Sequence, residues 1–221
     1  MRSIKSVMAI LAISSALLMS IPFLVPHTGF VALVAFVPLL LMDAIADDHG
    51  VRGFFWWYYL TFVLWNAFTT FWVCNATVGG GIFAVLANAA QMALIFAVFR
   101  FSKKRFSGVL PYVFRLSRKK FKGILPYLFL MFAWIAWERY YFTWAQISWP
   151  WLVLGNSFAR SIGSIQWYEY TGTLGGSLWI WVSNIWLFLI VESLIRGVWR
   201  DRPLKARVAS LVGSVLFLTV P

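Results

Sequence analysis

Residues 1–24 read MRSIKSVMAILAISSALLMSIPFL, a basic start followed by an apolar run with no charge after Lys5. An α-helix rises about 1.5 Å per residue, so about twenty apolar residues cross the ~30 Å hydrocarbon core of a bilayer. A secretory signal peptide begins in a similar way, but no small-residue cleavage site follows this run, whereas further apolar runs do. We therefore predict a first transmembrane helix that is retained.

The composition of the whole chain agrees with a membrane environment. Of its 221 residues, 62% are hydrophobic and only 12% are charged. A soluble domain of this length cannot bury so much apolar surface, so lipid must solvate much of the chain. Aromatic residues make up 19% of the chain and include 14 tryptophans, which favours aromatic belts at membrane interfaces. We predict an all-α, polytopic transmembrane bundle of about seven helices.

The apolar runs place these helices along the chain. The second run is short and contains Pro38, so a tilt, a kink and a near-continuous hairpin with the first helix across Pro22 and Pro26 all stay open. The last run is also short and reaches the end of the sequence. The predicted helices span about 4–24, 29–42, 53–74, 81–100, 123–141, 173–195 and 206–220.

Lysine and arginine residues set the predicted orientation. The chain carries a net charge of +12, but its basic residues lie between apolar runs, which indicates topology and contact with anionic lipid rather than nucleic-acid binding. With the N-terminus in the cytoplasm, only Arg139 and Arg160 fall on the opposite side of the membrane. We therefore predict a multi-pass protein of the bacterial inner membrane, with the loop 141–172 in the periplasm.

A near-repeat lies on the cytoplasmic side of this topology. KRFSGVLPYVF at 104–114 resembles KKFKGILPYLF at 119–129. One repeat is too short for a repeat architecture, so we interpret it as a local duplication. It would place a basic, proline-broken segment on the inner leaflet.

The periplasmic loop contains the stretch SWPWLVLGNSFA at 148–159, in which Trp149 and Trp151 flank Pro150. Proline fixes the backbone and the indoles are amphipathic, so this stretch predicts a stiff aromatic corner at headgroup depth. An ordinary aromatic belt would explain the same residues. We call residues 149–151 the Pro-Trp corner.

Three glutamates are candidate site residues. Glu138 lies within the predicted fifth helix, where an ionisable group is costly unless it is paired or functional. Glu169 precedes the sixth helix and fits either a site or an ordinary interfacial position. Glu192 lies four residues before Arg196, which predicts a structural ion pair.

Other reactive or polar residues fit structural roles. Cys74 has no histidine near it in sequence, so we predict a small buried thiol and not a nucleophile. His27 and His49 fall on opposite faces, so the sequence predicts no metal site, and it contains no cofactor-binding motif. The asparagines within the helices predict interhelical hydrogen bonds and are Asn66, Asn88 and Asn184.

Several stretches resemble the membrane domain of bacterial apolipoprotein N-acyltransferases. They are FVLWNAFTTFWV in the third helix, AWIAWERYY in the fifth, and SWPWLVLGNSFARSIGSIQWYEYTGTLGGSLWIWVSN from residue 148 onward. The resemblance implies a role in lipoprotein maturation. In that family an acyl chain passes from a membrane phospholipid, through a cysteine thioester, to the amino group of a lipoprotein's N-terminal cysteine.

The resemblance also implies where the chemistry resides. The family's Glu-Lys-Cys triad lies in a periplasmic nitrilase-like domain that follows the seventh helix, and this sequence stops at about that point. We therefore expect no catalytic residue within 1–221, no activity of this chain alone, and a nitrilase-like partner on a separate or continuing chain. The lipid-facing candidates are Glu138, Trp149, Pro150, Trp151 and Glu169.

Two other functional classes stay open from the sequence. A non-catalytic membrane scaffold that binds lipid or a partner protein would need the same helices and the same aromatic loop. A small transporter is disfavoured, because the chain shows no convincing inverted repeat and few intramembrane charges. A nitrilase-like domain encoded directly downstream would favour the acyltransferase over the scaffold.

Overall fold

The computed structural model describes residues 2–113, 124–145, 149–199 and 203–219, and within these ranges every regular element is helical. The prediction of an all-α bundle of about seven helices is confirmed for this part of the chain. The α-helices are α1 (Arg2–Leu24), α2 (Val37–Asp48), α3 (Phe55–Thr70), α4 (Val78–Val113), α5 (Leu125–Thr143), α6 (Tyr168–Ile195) and α7 (Leu204–Thr219).

Four helical segments in the described ranges are long and apolar enough to cross a membrane. They are Ile4–Leu24, Gly29–Asp48, Val78–Arg105 and Tyr168–Ile195. The helices α3 and α7 have 16 residues each, which is shorter than a straight crossing requires. The helix α5 has 19 residues, and Glu138 and Arg139 lower its hydropathy.

The second predicted helix, 29–42, is divided in the structure. A 3₁₀ turn covers Gly29–Leu33, and α2 then runs from Val37 to Asp48, six residues beyond the predicted end. Pro38 lies in the first turn of α2, where its missing N–H costs no helical hydrogen bond. Pro22, in contrast, lies inside α1, which continues to Leu24.

Asn184 of α6 stabilises this break between the 3₁₀ turn and α2. Its Nδ2 donates a hydrogen bond of 2.8 Å to the carbonyl of Ala32, and its Oδ1 accepts one of 2.7 Å from the backbone N–H of Phe36. Irregular backbone inside an apolar bundle requires such partners, because no bulk water can satisfy its polar groups. The interhelical hydrogen bond predicted for Asn184 is confirmed.

The break also places Phe36 at the centre of an aromatic core. Its ring centroid lies 4.6 Å from that of Trp181 and 5.5 Å from that of Trp134. The rings of Trp65 and Phe96 complete the contacts around Phe36. These side chains are fully buried and come from α3, α4, α5 and α6, so one cluster joins most of the bundle.

Two more helices differ from the predicted bounds. The helix α4 continues to Val113, thirteen residues past the predicted end at 100. It therefore includes 104–113 of the near-repeat, while 114–123 lie outside the described residues. The helix α6 begins at Tyr168 instead of 173 and bends at Gly172, whose φ of 66° suits a residue without Cβ.

One end of the bundle, the ionic end, contains a cluster of paired charges. Arg100 bonds to Asp43 and Asp47 at 2.8 Å each, and Lys103 lies 2.5 Å from Asp43 and also pairs with Asp47. The Tyr58 hydroxyl donates a further hydrogen bond to Asp43. The cluster joins α2 to α4.

Candidate functional site

Glu138 forms the centre of the candidate site, at the end of the bundle opposite the ionic end. Only 1% of its surface is exposed. Its Oε1 accepts a hydrogen bond of 3.0 Å from the Trp134 indole, one helical turn earlier in α5. The same oxygen accepts a second bond, of 2.9 Å, from the backbone N–H of Leu154. Glu138 thus attaches the loop after the Pro-Trp corner to α5.

The Pro-Trp corner opens a series of short turns. A 3₁₀ turn covers Pro150–Leu152 and a second covers Leu154–Phe158. Proline suits the start of such a turn because its φ is already fixed and its missing N–H is not needed. The Asn156 side chain donates a hydrogen bond of 2.9 Å back to the carbonyl of Pro150. The corner is therefore held by its own loop as well as by Glu138.

Gly155 fastens the same loop to α6. Its backbone N–H donates to the Ser177 hydroxyl at 3.1 Å, and its carbonyl accepts from the Tyr168 hydroxyl at 3.0 Å. A side chain at Gly155 would collide with the carbonyl of Thr173, and Gly176 of α6 packs directly on Gly155. The Gly-rich start of α6 thus provides the close approach that this loop needs.

The electrostatic setting of Glu138 is unusual for a carboxyl group. No ion pair joins it to a lysine, arginine or histidine in the described part of the chain. The groups around it are neutral: an indole N–H, a backbone N–H and the nearby Ser177 hydroxyl. Buried polar groups without such donors are costly, so the donors explain how the carboxyl group is accommodated.

The outer side of the corner is aromatic and accessible. Trp151 is 53% exposed and packs edge-on against Trp72, with 5.8 Å between ring centroids. Trp149 lies behind it at 6.5 Å, also edge-on. Phe71 and Trp72, which follow α3, are themselves exposed. The corner therefore presents amphipathic rings outward on a base that is fixed from within.

The structure separates the remaining candidates from this network. Glu169 is exposed in the first turn of α6 and takes no part in the hydrogen bonds around Glu138. Glu192 pairs with Arg196 at 3.1 Å, so the predicted structural ion pair is confirmed. Cys74 is half-buried against Gly81.

No group of three or more His, Cys, Asp or Glu residues suited to a metal ion occurs within the described ranges.

Sequence reasoning missed the partners of Glu138 and the ionic cluster. Trp134 lies four residues before Glu138, a spacing that places both on one face of a helix and could have indicated their contact. Asp43 and Asp47 have the same spacing on α2. Leu154 could not have been found, because a backbone N–H has no signature in the sequence.

Comparison with known proteins finds a family that spans most of the chain. The family model described as the apolipoprotein N-acyltransferase N-terminal domain matches residues 15–186, which include Glu138, the Pro-Trp corner and the start of α6. The chain belongs to the apolipoprotein N-acyltransferase family. The resemblance noted in the sequence is therefore confirmed, and the chain is a member of a membrane-protein family.

One curated relative is the apolipoprotein N-acyltransferase of Chlorobaculum tepidum. It is 30% identical over 166 residues, which cover 74% of this chain and 27% of the relative. The chain thus matches about a quarter of the length of that N-acyltransferase. No solved structure matches the chain.

Proposed function

We propose that this chain is the membrane-embedded part of an apolipoprotein N-acyltransferase, and that the Pro-Trp corner holds the phospholipid that donates the acyl chain. Family membership supports the reaction class. The observation that carries the site is the buried carboxyl group of Glu138, which fixes a corner whose outer side is exposed and aromatic.

The geometry of the corner suits lipid contact. Tryptophan places an apolar ring among acyl chains and an N–H near the headgroups, so it is well suited to the membrane interface. Binding loses less conformational entropy when the contact surface is already rigid. Glu138, Gly155 and Asn156 supply that rigidity through hydrogen bonds to the loop.

The proposed orientation follows the distribution of basic residues. The ionic end, with Arg100, Lys103 and Arg196, faces the cytoplasm, and the Pro-Trp corner faces the periplasm of a bacterial inner membrane. The acceptor is the N-terminal cysteine of a lipoprotein. A nitrilase-like domain performs the acyl transfer, and residues 1–221 position the lipid without a catalytic residue of their own.

Photochemical labelling in membranes tests the lipid site. The probe is a phospholipid with a diazirine near its ester carbonyl, and the readout is the labelled peptide identified by mass spectrometry. We expect preferential labelling around residues 149–152 that Trp151→Leu reduces several-fold. Trp56→Leu is the matched control, because Trp56 is 67% exposed near the ionic end. Equal labelling of both tryptophan regions, unaffected by Trp151→Leu, would instead indicate an ordinary aromatic belt.

A further inference from the structure

A small cavity lies between α4, α5 and the Pro-Trp corner. Its walls include Asn88 and Met92 of α4, Glu138 and Tyr141 of α5, and Trp149 of the corner. The space available to the centre of a water molecule is about 10 Å³. That is the room for about one water and for nothing as large as a lipid headgroup.

Three buried polar atoms belong to the residues around this cavity. They are Nδ2 of Asn88, Oε2 of Glu138 and Nε1 of Trp149, and none has a hydrogen-bond partner among the described residues. Asn88 is 2% exposed and Glu138 is 1% exposed. Unpartnered polar atoms are rare in folded proteins, and three around one cavity call for a common partner.

We infer that this cavity is a binding site for a single water molecule that bridges Asn88, Glu138 and Trp149. A water molecule accepts two hydrogen bonds and donates two. The amide of Asn88 and the indole of Trp149 supply two donors, and the Oε2 oxygen of Glu138 supplies an acceptor. One water therefore satisfies all three atoms at once.

The assignment does not depend on the orientation of the Asn88 amide. Oδ1 of Asn88 accepts a hydrogen bond of 2.6 Å from the Tyr141 hydroxyl. If the amide were flipped, Nδ2 would donate to the Tyr141 oxygen and Oδ1 would face the cavity. The water would then accept from Trp149 and donate to Asn88 and Glu138, which it can do equally well.

This water gives the corner a second attachment to the bundle. Oε1 of Glu138 accepts a direct hydrogen bond from the backbone N–H of Leu154. Through the water, Oε2 would also be linked to Trp149, which precedes Leu154 by five residues. Because Asn88 lies on α4, the water also connects the corner to that helix. Neither of the two direct hydrogen bonds of Oε1 involves α4. The site stands on this geometry alone and does not require the proposed acyltransferase role.

A double-mutant cycle tests the shared water. The variants are Asn88→Ala, Trp149→Phe and their combination, and the readout is the equilibrium constant of unfolding in detergent micelles. Two residues that bind one water lose it with the first substitution, so the second substitution costs less. We expect the equilibrium constant of unfolding of the double variant to be about ten-fold smaller than the two single effects together predict.

The matched control combines Asn88→Ala with Trp181→Phe. The indole N–H of Trp181 is also buried and has no hydrogen-bond partner within the described ranges, but Trp181 does not line the cavity. We expect its effect to add to that of Asn88→Ala. Additive effects in both cycles would overturn the proposal.

A high-resolution experimental structure provides a second test that does not depend on the variants folding. Density for one water within hydrogen-bonding distance of Asn88, Glu138 and Trp149 would establish the site. A cavity without density, or a Trp149 indole turned away from it, would refute the site.

Discussion

Among single residues, Glu138 is the one on which the position of the Pro-Trp corner most depends. In Glu138→Leu, the indole of Trp134 and the backbone N–H of Leu154 lose their acceptor while they stay buried. We expect the free energy of unfolding to fall by about 2–4 kcal/mol. Glu138→Gln retains an acceptor oxygen, so we expect a loss of about 1 kcal/mol. Chemical unfolding in micelles measures both values.

Glu169→Gln is the control for this pair of variants, because Glu169 is an exposed glutamate near the same end of the bundle. We expect no measurable change in its unfolding free energy. A Glu138→Leu variant as stable as Glu169→Gln would contradict the anchoring role of Glu138.

Asp43 is the second residue with a large predicted effect. Its side chain is 1% exposed and faces both Arg100 and Lys103, so Asp43→Asn leaves two cations without full compensation. Removing one partner of a buried ion pair costs about 3–5 kcal/mol. Asp48 pairs with Arg196 at the exposed surface, and Asp48→Asn should cost less than about 1 kcal/mol. Similar stability of the two variants in the same unfolding assay would argue against a buried ionic cluster.

The sequence predicted residue roles well where the signal was local. The pair of Glu192 and Arg196 follows from spacing along one helix, and the structure contains it. The sequence does not indicate the role of Asp43, because its cationic partners are 57 and 60 positions away. Such contacts depend on which helices become neighbours, and helix spacing does not encode that.

At the scale of elements, the junction between the 3₁₀ turn Leu154–Phe158 and α6 depends on Gly155. Gly155→Ala brings a methyl group into the carbonyl of Thr173, a rigid backbone atom. We expect a loss of about 1–3 kcal/mol from overpacking, together with easier protease cleavage of the loop. Limited proteolysis and chemical unfolding check the two effects.

Gly163→Ala is the matched control for this junction, because a Cβ at Gly163 would have no atom within 4 Å apart from its own chain neighbours. We expect its stability to change by no more than about 0.5 kcal/mol. Equal proteolysis of the two variants would show that the loop does not need close contact with α6.

The helices themselves were predictable from apolar runs, but the positions of their interruptions were not. The break before α2 exists because Asn184, 148 positions after Phe36, satisfies its backbone. The early start of α6 depends on a bend at Gly172, and a glycine in an apolar run does not by itself indicate a bend. In both cases the position of the break or bend depends on a tertiary contact or a local dihedral angle, and hydropathy contains no information on either.

At the scale of the whole molecule, the bundle separates two kinds of polar structure. Paired charges occupy the ionic end, while the opposite end holds the buried carboxyl group of Glu138 with its neutral donors. The aromatic core around Phe36 lies between them and joins α3, α4, α5 and α6. This division suits a protein whose ionic end faces anionic headgroups and whose Pro-Trp corner binds lipid at the opposite end.

The most direct test of the proposed function is a chimera of the Chlorobaculum tepidum N-acyltransferase in which residues 15–186 of this chain replace the matching segment. It would be expressed in a bacterium depleted of its own N-acyltransferase, and lipoprotein N-termini would be read by mass spectrometry. The intact relative serves as the control. We predict triacylated N-termini with the chimera, and their loss when Trp149 and Trp151 are both replaced by leucine. Diacylated N-termini only, from a chimera inserted in the membrane as abundantly as the intact relative, would contradict the proposed function.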